Sequence, residues 1–230
     1  MLSVDQIRKY PLFEGLNEAE LARLANILTK RSFARGAYVF YPGSPGANAY
    51  LVESGLVRIF FSTASGHEVL IYLAGSSEVF GLPTLQETQL RMIGAMAFLP
   101  SVLLSIGRED FFQMLDSSPQ FSRNVYLEQS IISRRLLLHV RMLTTLNLNG
   151  RLATMLLRLA SINANQEYII DFPIRQEDLA GWIGASRGRL NQAMQLLQQL
   201  GLIRVEGQKI LILDYPGLER MSEEQTVEKV

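Results

Sequence analysis

Cysteine is absent from the 230 residues, and histidine occurs only twice, at His67 and His139. Without thiols the chain has no disulfide, no cysteine-ligated iron–sulfur cluster, no thiolate zinc site and no cysteine nucleophile. Two histidines in segments of different character do not build a histidine-rich metal centre or a proton relay, so no metal site is expected. Net charge is lacking too: 22 Lys and Arg balance 22 Asp and Glu. That excludes binding by bulk positive charge but leaves room for a local basic patch. No apolar run approaches the roughly 18 residues of a membrane span. The first twenty residues carry charges and lack the apolar stretch of a secretory signal, so a cytoplasmic protein without membrane contact is expected. Apolar residues are plentiful, at 48% against 19% charged, enough for a core in one large domain or two small ones.

The chain changes character twice. Residues 1 to 30 read as short helices, with Leu12, Phe13, Leu16, Leu21, Leu24, Ile27 and Leu28 at helical spacing and Asn17 placed to cap one of them. From Ser32 to about Ser105, short runs of strand formers are cut by Gly or Pro about every ten residues. The runs are 38–41, 50–52, 56–61, 69–73 and 102–106. This is the pattern of an antiparallel sandwich or barrel, with Ser65-Gly66 as a hairpin tip carrying His67. Phe60, Phe80 and Met96 are expected to fill its interior.

From Arg108 the pattern is helical again. Phe111, Phe112 and Leu115 mark a short helix ending near Pro119. Then Gln120 to about Leu146 contains neither Gly nor Pro, enough for about 40 Å of helix. Ile132, Leu136, His139, Leu143 and Leu146 form a heptad seam, which predicts a parallel homodimer. Leu127, Ile131, Leu138 and Met142 make a neighbouring stripe; one stripe faces the sandwich and the other a second helix. Asn147-Leu148-Asn149-Gly150 interrupts the pattern as a candidate hinge. An amphipathic helix (Leu152, Met155, Leu156, Leu159) and a compact unit to about Leu213 follow; the tail after Pro216 reads as loosely ordered. The segments are 1–118, a sensor domain; 119–147, the dimerisation helix; and 148–230, a C-terminal domain.

The densest motif spans Gln176 to Gln195. Leu179, Ile183, Leu190 and Met194 can pin two helices across a sharp turn, with Ala180 at the contact, Gly184 supplying a positive φ and Ser186 capping the second helix. Two strand-like runs, 201–205 and 209–213, flank Glu206-Gly207-Gln208 as a small hairpin directly after that helix. A helix-turn-helix with a wing reads double-stranded DNA through its second helix. Between Gly184 and Ile203 there are two cationic residues and no acidic one. Arg187 and Arg189 can therefore approach phosphates or guanine edges, and Gln192 can read adenine. Arg175, Gln176, Ser186, Asn191 and Lys209 complete the candidate DNA-binding set.

These features occur in a fixed order: 35–40 then Pro42-Gly43, 50–58, Val79-Phe80-Gly81, the long helix, and Phe172-Pro173-Ile174-Arg175-Gln176-Glu177-Asp178-Leu179-Ala180. In that order, over residues 10 to 214, the chain resembles the CRP/FNR superfamily of bacterial transcription factors. The resemblance implies an α+β protein. It would have an N-terminal antiparallel β-roll, like a cyclic-nucleotide-binding jelly roll, then a long dimerisation helix and a winged helix-turn-helix. It also implies DNA, a second copy and RNA polymerase as partners, and places the effector pocket at Phe80, Gly81, Leu82, Arg91 and Met92. Family members that bind cyclic nucleotides follow Phe-Gly with a Glu for the ribose. Here Leu82-Pro83-Thr84 follows, and Pro83 also removes an amide donor. Arg91 is followed by Met92-Ile93 in place of small hydroxyl residues, so it reads as a surface or strand charge and a cyclic nucleotide is not expected. The family's Arg-Glu-x-x-x-Arg recognition set keeps Arg187 by match, but its acid becomes Gly188 and its second Arg becomes Gln192. Gly188 costs about 1 kcal/mol of helix propensity and cannot read a cytosine, so a different operator is expected. An enzyme with a cupin-like barrel would need clustered His and Glu on the strands, which one barrel histidine does not provide; the chain is not expected to be an enzyme. The alternative is a sensor or scaffold of the same fold that acts by protein contacts without specific DNA binding.

Overall fold

A computed structural model describes residues 2–63, 68–82 and 90–223. The hairpin tip expected at Ser65-Gly66, with His67, and the Pro83-Thr84 segment lie outside the described residues. The chain divides into two compact units, Met1–Arg135 and Leu136–Val230.

The first unit opens with α1 (Val4–Arg8), a 3-10 turn and α2 (Glu18–Ile27), which Asn17 caps as expected, its side chain accepting from the Glu20 amide. Eight strands follow: β1 (Thr29–Phe33), β2 (Tyr38–Phe40), β3 (Asn48–Ser54), β4 (Val57–Ser62), β5 (Glu68–Ala74), β6 (Val79–Phe80), β7 (Gly94–Ala97) and β8 (Ser101–Gly107). They form two antiparallel sheets, ordered β1-β8-β3-β6 and β2-β7-β4-β5. Then come α3 (Arg108–Ser117) and α4 (Pro119–Thr145), the latter passing from the first unit into the second.

Strand β3 shows why the runs read as continuously apolar. Its side chains alternate between two cores. Ala49 and Leu51 pack with Leu24, Phe111, Met114 and Phe121 from the helices, while Tyr50 and Val52 pack with Ile59, Phe80 and Ala95 between the sheets. Leu104 and Leu103 of β8 divide in the same way. A strand buried on both faces carries no polar alternation.

Three expectations need correction here. The helical reading of residues 1 to 30 takes in Thr29 and Lys30, but Thr29, Lys30 and Arg31 pair with β8 as an exposed edge strand. An edge strand open to solvent has no apolar alternation to betray it. Of the three residues expected to fill the interior, only Phe80 belongs to the cluster between the sheets. Phe60 is buried beneath the guanidinium of Arg58, 4.8 Å from the ring centre. Arg58 is itself buried; it pairs with Glu68, which also accepts from the Tyr38 hydroxyl. The tail after Pro216 is not loose up to residue 223, because helix α8 (Tyr215–Glu223) forms there. The Asp214 carboxylate accepts from the Gly217 amide, Leu218 is fully buried, and Tyr215 packs 4.3 Å from Tyr168.

The second unit comprises the end of α4, α5 (Leu148–Leu159), β9 (Ser161–Ile162), β10 (Tyr168–Ile170), α6 (Gln176–Trp182), α7 (Arg187–Gln199), β11 (Ile203–Glu206), β12 (Lys209–Ile212) and α8. Its sheet is ordered β11-β12-β10-β9, so the expected two-stranded wing is the edge of a four-stranded sheet. The segment read as a hinge is mostly helix. Asn147 caps α5 by accepting from the Gly150 amide at 2.9 Å, and only Leu146 and Asn147 separate α4 from α5. Gly150 belongs there because a Cβ would lie 2.9 Å from the Met221 carbonyl of α8.

Helix α4 carries 27 residues and two apolar stripes. The seam expected at Ile132, Leu136, His139, Leu143 and Leu146 is largely engaged within the chain. Ile132 borders a pocket of the roll, Leu143 lies against Gly184, and Leu146 approaches Gly150. Burial and the Arg158 charge push the His139 imidazole below its ordinary pKa of 6.5. Only Leu136 is exposed. Of the neighbouring stripe, Leu127, Ile131 and Leu138 are exposed, whereas Met142 is buried; Tyr126, Leu137 and Val140, off that stripe, are exposed too. Heptad spacing fits both stripes equally, so spacing alone could not choose which one faces inward.

Candidate nucleic-acid interface and roll pocket

The reading head is built from α6, a turn and α7. Helix α6 ends in a doubly bonded turn: the Gly184 amide donates to Gly181 at 3.3 Å and the Ala185 amide to Ala180 at 2.9 Å. The long-range 6→1 bond requires a left-handed residue, and Gly184 supplies φ +66°. Ser186 then caps α7, its hydroxyl accepting from the Arg189 amide at 3.4 Å. Leu190, Ala193 and Leu197 are the buried residues of α7, and Leu179 and Ile183 are buried beside the turn; Met194, expected among the pinning residues, is half-buried.

The outward face of α7 presents Arg187, Gly188, Arg189, Gln192 and Gln195, all exposed, with Asn191 half-buried at its edge. Gln195 was missed by the sequence reading. It follows Gly188 by seven and Gln192 by three residues, which places all three on one line of the helix. The Arg187 Nε donates to the Gln176 side chain at 2.9 Å, so these two predicted residues meet. Glu177 also comes within 4.0 Å of Arg187. The absence of acid between Gly184 and Ile203 therefore did not guarantee an acid-free surface, because α6 brings one across the turn. Arg189 and Gln192 line an open groove of about 620 Å3 with residues 144–149, Ala193 and Leu196.

Two predicted residues hold the frame. Arg175 precedes α6 and its Nε pairs with the buried Asp178 at 3.0 Å. Lys209 on β12 pairs with Asp171 at 2.8 Å, both half exposed.

The roll holds a second candidate site. A pocket of about 270 Å3 is lined by Gly46, Tyr72, Gly81, Leu82, Leu90, Arg91, Met92, Ile93, Gln129 and Ile132. Four predicted residues, Gly81, Leu82, Arg91 and Met92, line it. Phe80 does not; its ring stacks on Tyr50 at 5.3 Å inside the core. Arg91 is not a surface charge. Its guanidinium lies 3.8 Å over the Phe40 ring and donates to the Gly81 and Asn48 carbonyls at 3.2 and 2.5 Å. Among the described residues its Nε is buried without a partner. Burial pushes the guanidinium pKa down, and among the described residues no carboxylate accepts from it. Burial holds the Tyr72 phenol at about 12, so at neutral pH it is an uncharged donor.

Two family models match, "Cyclic nucleotide-binding domain" over residues 30–118 and "Crp-like helix-turn-helix domain" over residues 150–221. The chain is 30% identical over 198 residues to the cyclic AMP receptor protein of Thermus thermophilus, covering 85% of this chain and 88% of that protein. It is 29% identical over 212 residues to a CRP-like cAMP-activated global transcriptional regulator of Mycobacterium tuberculosis, covering 91% and 95%. The chain belongs to the CRP/FNR superfamily. A crystal structure of a CRP/FNR-family transcriptional regulator from Thermus thermophilus superposes with a TM-score of 0.73 at 25% identity, covering 86% of this chain and all of that one. The expected α+β fold of roll, long helix and helix-turn-helix is the one found, and this CRP/FNR member is a DNA-binding transcription regulator. Among the described residues no helix is long and apolar enough to cross a membrane.

The turn glycine gives a direct stability test. An L-residue in the left-handed region costs about 1–2 kcal/mol, and a Cβ at Gly184 would stand 3.3 Å from the Leu143 Cδ2. Gly184→Ala should therefore destabilise the second unit by at least about 1–2 kcal/mol. The chain has one tryptophan, Trp182, and it is buried beside this turn, so its fluorescence during urea unfolding reads the loss; an unchanged midpoint would remove the turn from the account.

Proposed function

We propose that this regulator works as a homodimer in the cytoplasm. In this reading it binds a pseudo-palindromic operator through the two α7 helices, contacts RNA polymerase, catalyses no reaction and responds to an organic anion held in the roll. The observation that carries the DNA contact is the exposed α7 face, capped by Ser186 and flanked by Arg187 and Arg189. Arg187 and Gln192 reach base edges. Gln195 lies in line with them, and Gly188 adds no side chain to the first turn of the face. Gln176 steers Arg187 through their hydrogen bond. Lys209 and Arg175 stand by the phosphates, each tempered by its carboxylate partner.

The open stripe of α4 supports the dimer. Burial of a large apolar side chain contributes about 1.5–3 kcal/mol, and Leu127, Ile131 and Leu138 stand exposed on one stripe of the helix, the kind of apolar exposure that marks an interaction surface. A second copy of α4 covers it, with Leu127, Ile131 and Leu138 at the contact. Two copies place the recognition helices one DNA turn apart, about 34 Å.

The roll pocket supports an organic anion with an apolar body over a cyclic nucleotide. Leu82, Leu90, Met92, Ile93 and Ile132 offer apolar walls, and Arg91 offers a charge. Among the described lining residues there is no carboxylate to accept from a ribose diol. In this reading the roll does not share the response to cyclic AMP of the relatives from Thermus thermophilus and Mycobacterium tuberculosis.

Three outcomes follow. Arg187→Ala should weaken binding to genomic operator fragments by about 10- to 100-fold per half-site, the worth of one base-reading arginine in each head, while leaving weak binding to random DNA; a retained gel shift would undo the assignment of α7. Ile131→Glu should convert a sedimenting dimer into single subunits and lower operator affinity by about 100-fold or more through lost avidity; a dimer that survives points back to the other stripe. A medium-chain aliphatic carboxylate at 100 times its Kd should raise Tm by about 5–10 °C, and Arg91→Met should erase the rise. Stabilisation by cyclic AMP would overturn the anion reading.

A further inference from the structure

Arg151, in the first turns of α5, commits its guanidinium to backbone oxygens. Its Nε donates to the Leu146 carbonyl at 2.9 Å, and its terminal nitrogens donate to the Leu143 carbonyl at 2.6 Å and the Ile183 carbonyl at 3.2 Å. The first two acceptors are unsatisfied carbonyls at the end of α4. The third belongs to the residue before the turn glycine of the reading head. Gly184 marks the same junction, since a Cβ there would lie 3.3 Å from Leu143 and 3.6 Å from the Arg151 guanidinium. Three segments, the end of α4, the start of α5 and the α6–α7 turn, thus meet on one planar fork.

We propose that Arg151 is a positioning residue for DNA reading: it fixes the angle of the helix-turn-helix against the last turns of α4, and so the separation of the two recognition helices. This rests on the dimeric reading above. The turn does not need Arg151 for its own hydrogen bonds, because Gly184 and Ala185 donate to Gly181 and Ala180. The α4 carbonyls can take water when the guanidinium is removed. What only a rigid fork supplies is a fixed angle between the three segments; a lysine is a point donor on a flexible stem.

The test compares full-length protein with Arg151→Met and Arg151→Lys on a duplex selected by the wild type from a randomised pool. The same duplex with one base pair inserted between its half-sites is the competitor. The insertion turns the second half-site by about 35° and moves it by about 3.4 Å. Wild type should bind the inserted duplex at least about tenfold more weakly. Both variants should cut that ratio to about threefold or less, with the Trp182 emission maximum unchanged. A variant that keeps the wild-type ratio overturns the proposal. So does a red-shifted Trp182 in both variants, which makes Arg151 a structural residue. A wild type indifferent to the insertion overturns the two-headed reading itself, and the proposal with it.

Discussion

Everything else in this regulator depends on how one helix divides its surface. Helix α4 has more apolar residues than its own chain can cover, and they fall on two stripes with the same heptad spacing. The stripe through Ile132, His139 and Leu143 is half-buried against the chain, and Arg135 pairs with Glu78. That commitment rotates the helix so that Leu127, Ile131, Leu137 and Leu138 stand in solvent. The second stripe is therefore the one that stands open, and in the proposed dimer it is the one a second copy covers. A rotation of one residue's worth about the helix axis, roughly 100°, would exchange their roles and unpair Arg135.

The two buried arginines of the roll show how similar residues diverge by partner. Arg58 is almost fully buried and has a carboxylate, Glu68, which Tyr38 also contacts. A buried charge completed in this way is a finished structural element, and removing one side of such a pair leaves the other stranded. Arg91 is less deeply placed, yet among the described residues its acceptors are two neutral carbonyls and an aromatic face. Neutral acceptors do not offset the cost of desolvating a full charge. Arg58 therefore holds its sheet together, and Arg91 remains the place in the roll where an incoming anion gains most.

Legibility followed the range of the signal. The helix-turn-helix was readable because its requirements are local: a positive-φ glycine at Gly184, a hydroxyl cap at Ser186 and rear contacts at Leu190 and Leu197. The strands β3, β4 and β8 were readable because burial on both faces makes them dense in strand formers. The first strand was not, since Thr29 to Arg31 form an exposed edge whose only structural tie is pairing with β8. The last helix was hidden by its polar composition; its order comes from Leu218 and Tyr215 reaching partners far back in the chain. The choice between stripes on α4 and the arrival of Glu177 beside Arg187 are likewise tertiary facts. Arg151 could be seen in the sequence only as one more basic residue, because its acceptors are carbonyls, which every residue has.

The reading face opens on a residue without a side chain. Gly188 lies in the first turn of α7, between Arg187 and Arg189, with Gln192 and Gln195 further along the exposed side. A helix that carries a glycine here gives up about 1 kcal/mol of propensity and gains close backbone approach to the groove floor. Arg187 is held sideways by Gln176 and shadowed by Glu177, so its charge is partly spent before DNA arrives. With overall charge at zero, non-specific attraction is weak, and affinity must come from fit. In the proposed dimer, fit in turn requires that the two heads arrive at a set distance and angle. A protein that gives up bulk charge and a side chain on its reading helix has to gain its selectivity from rigidity, and the junction where α4, α5 and the reading turn converge is where that rigidity is built.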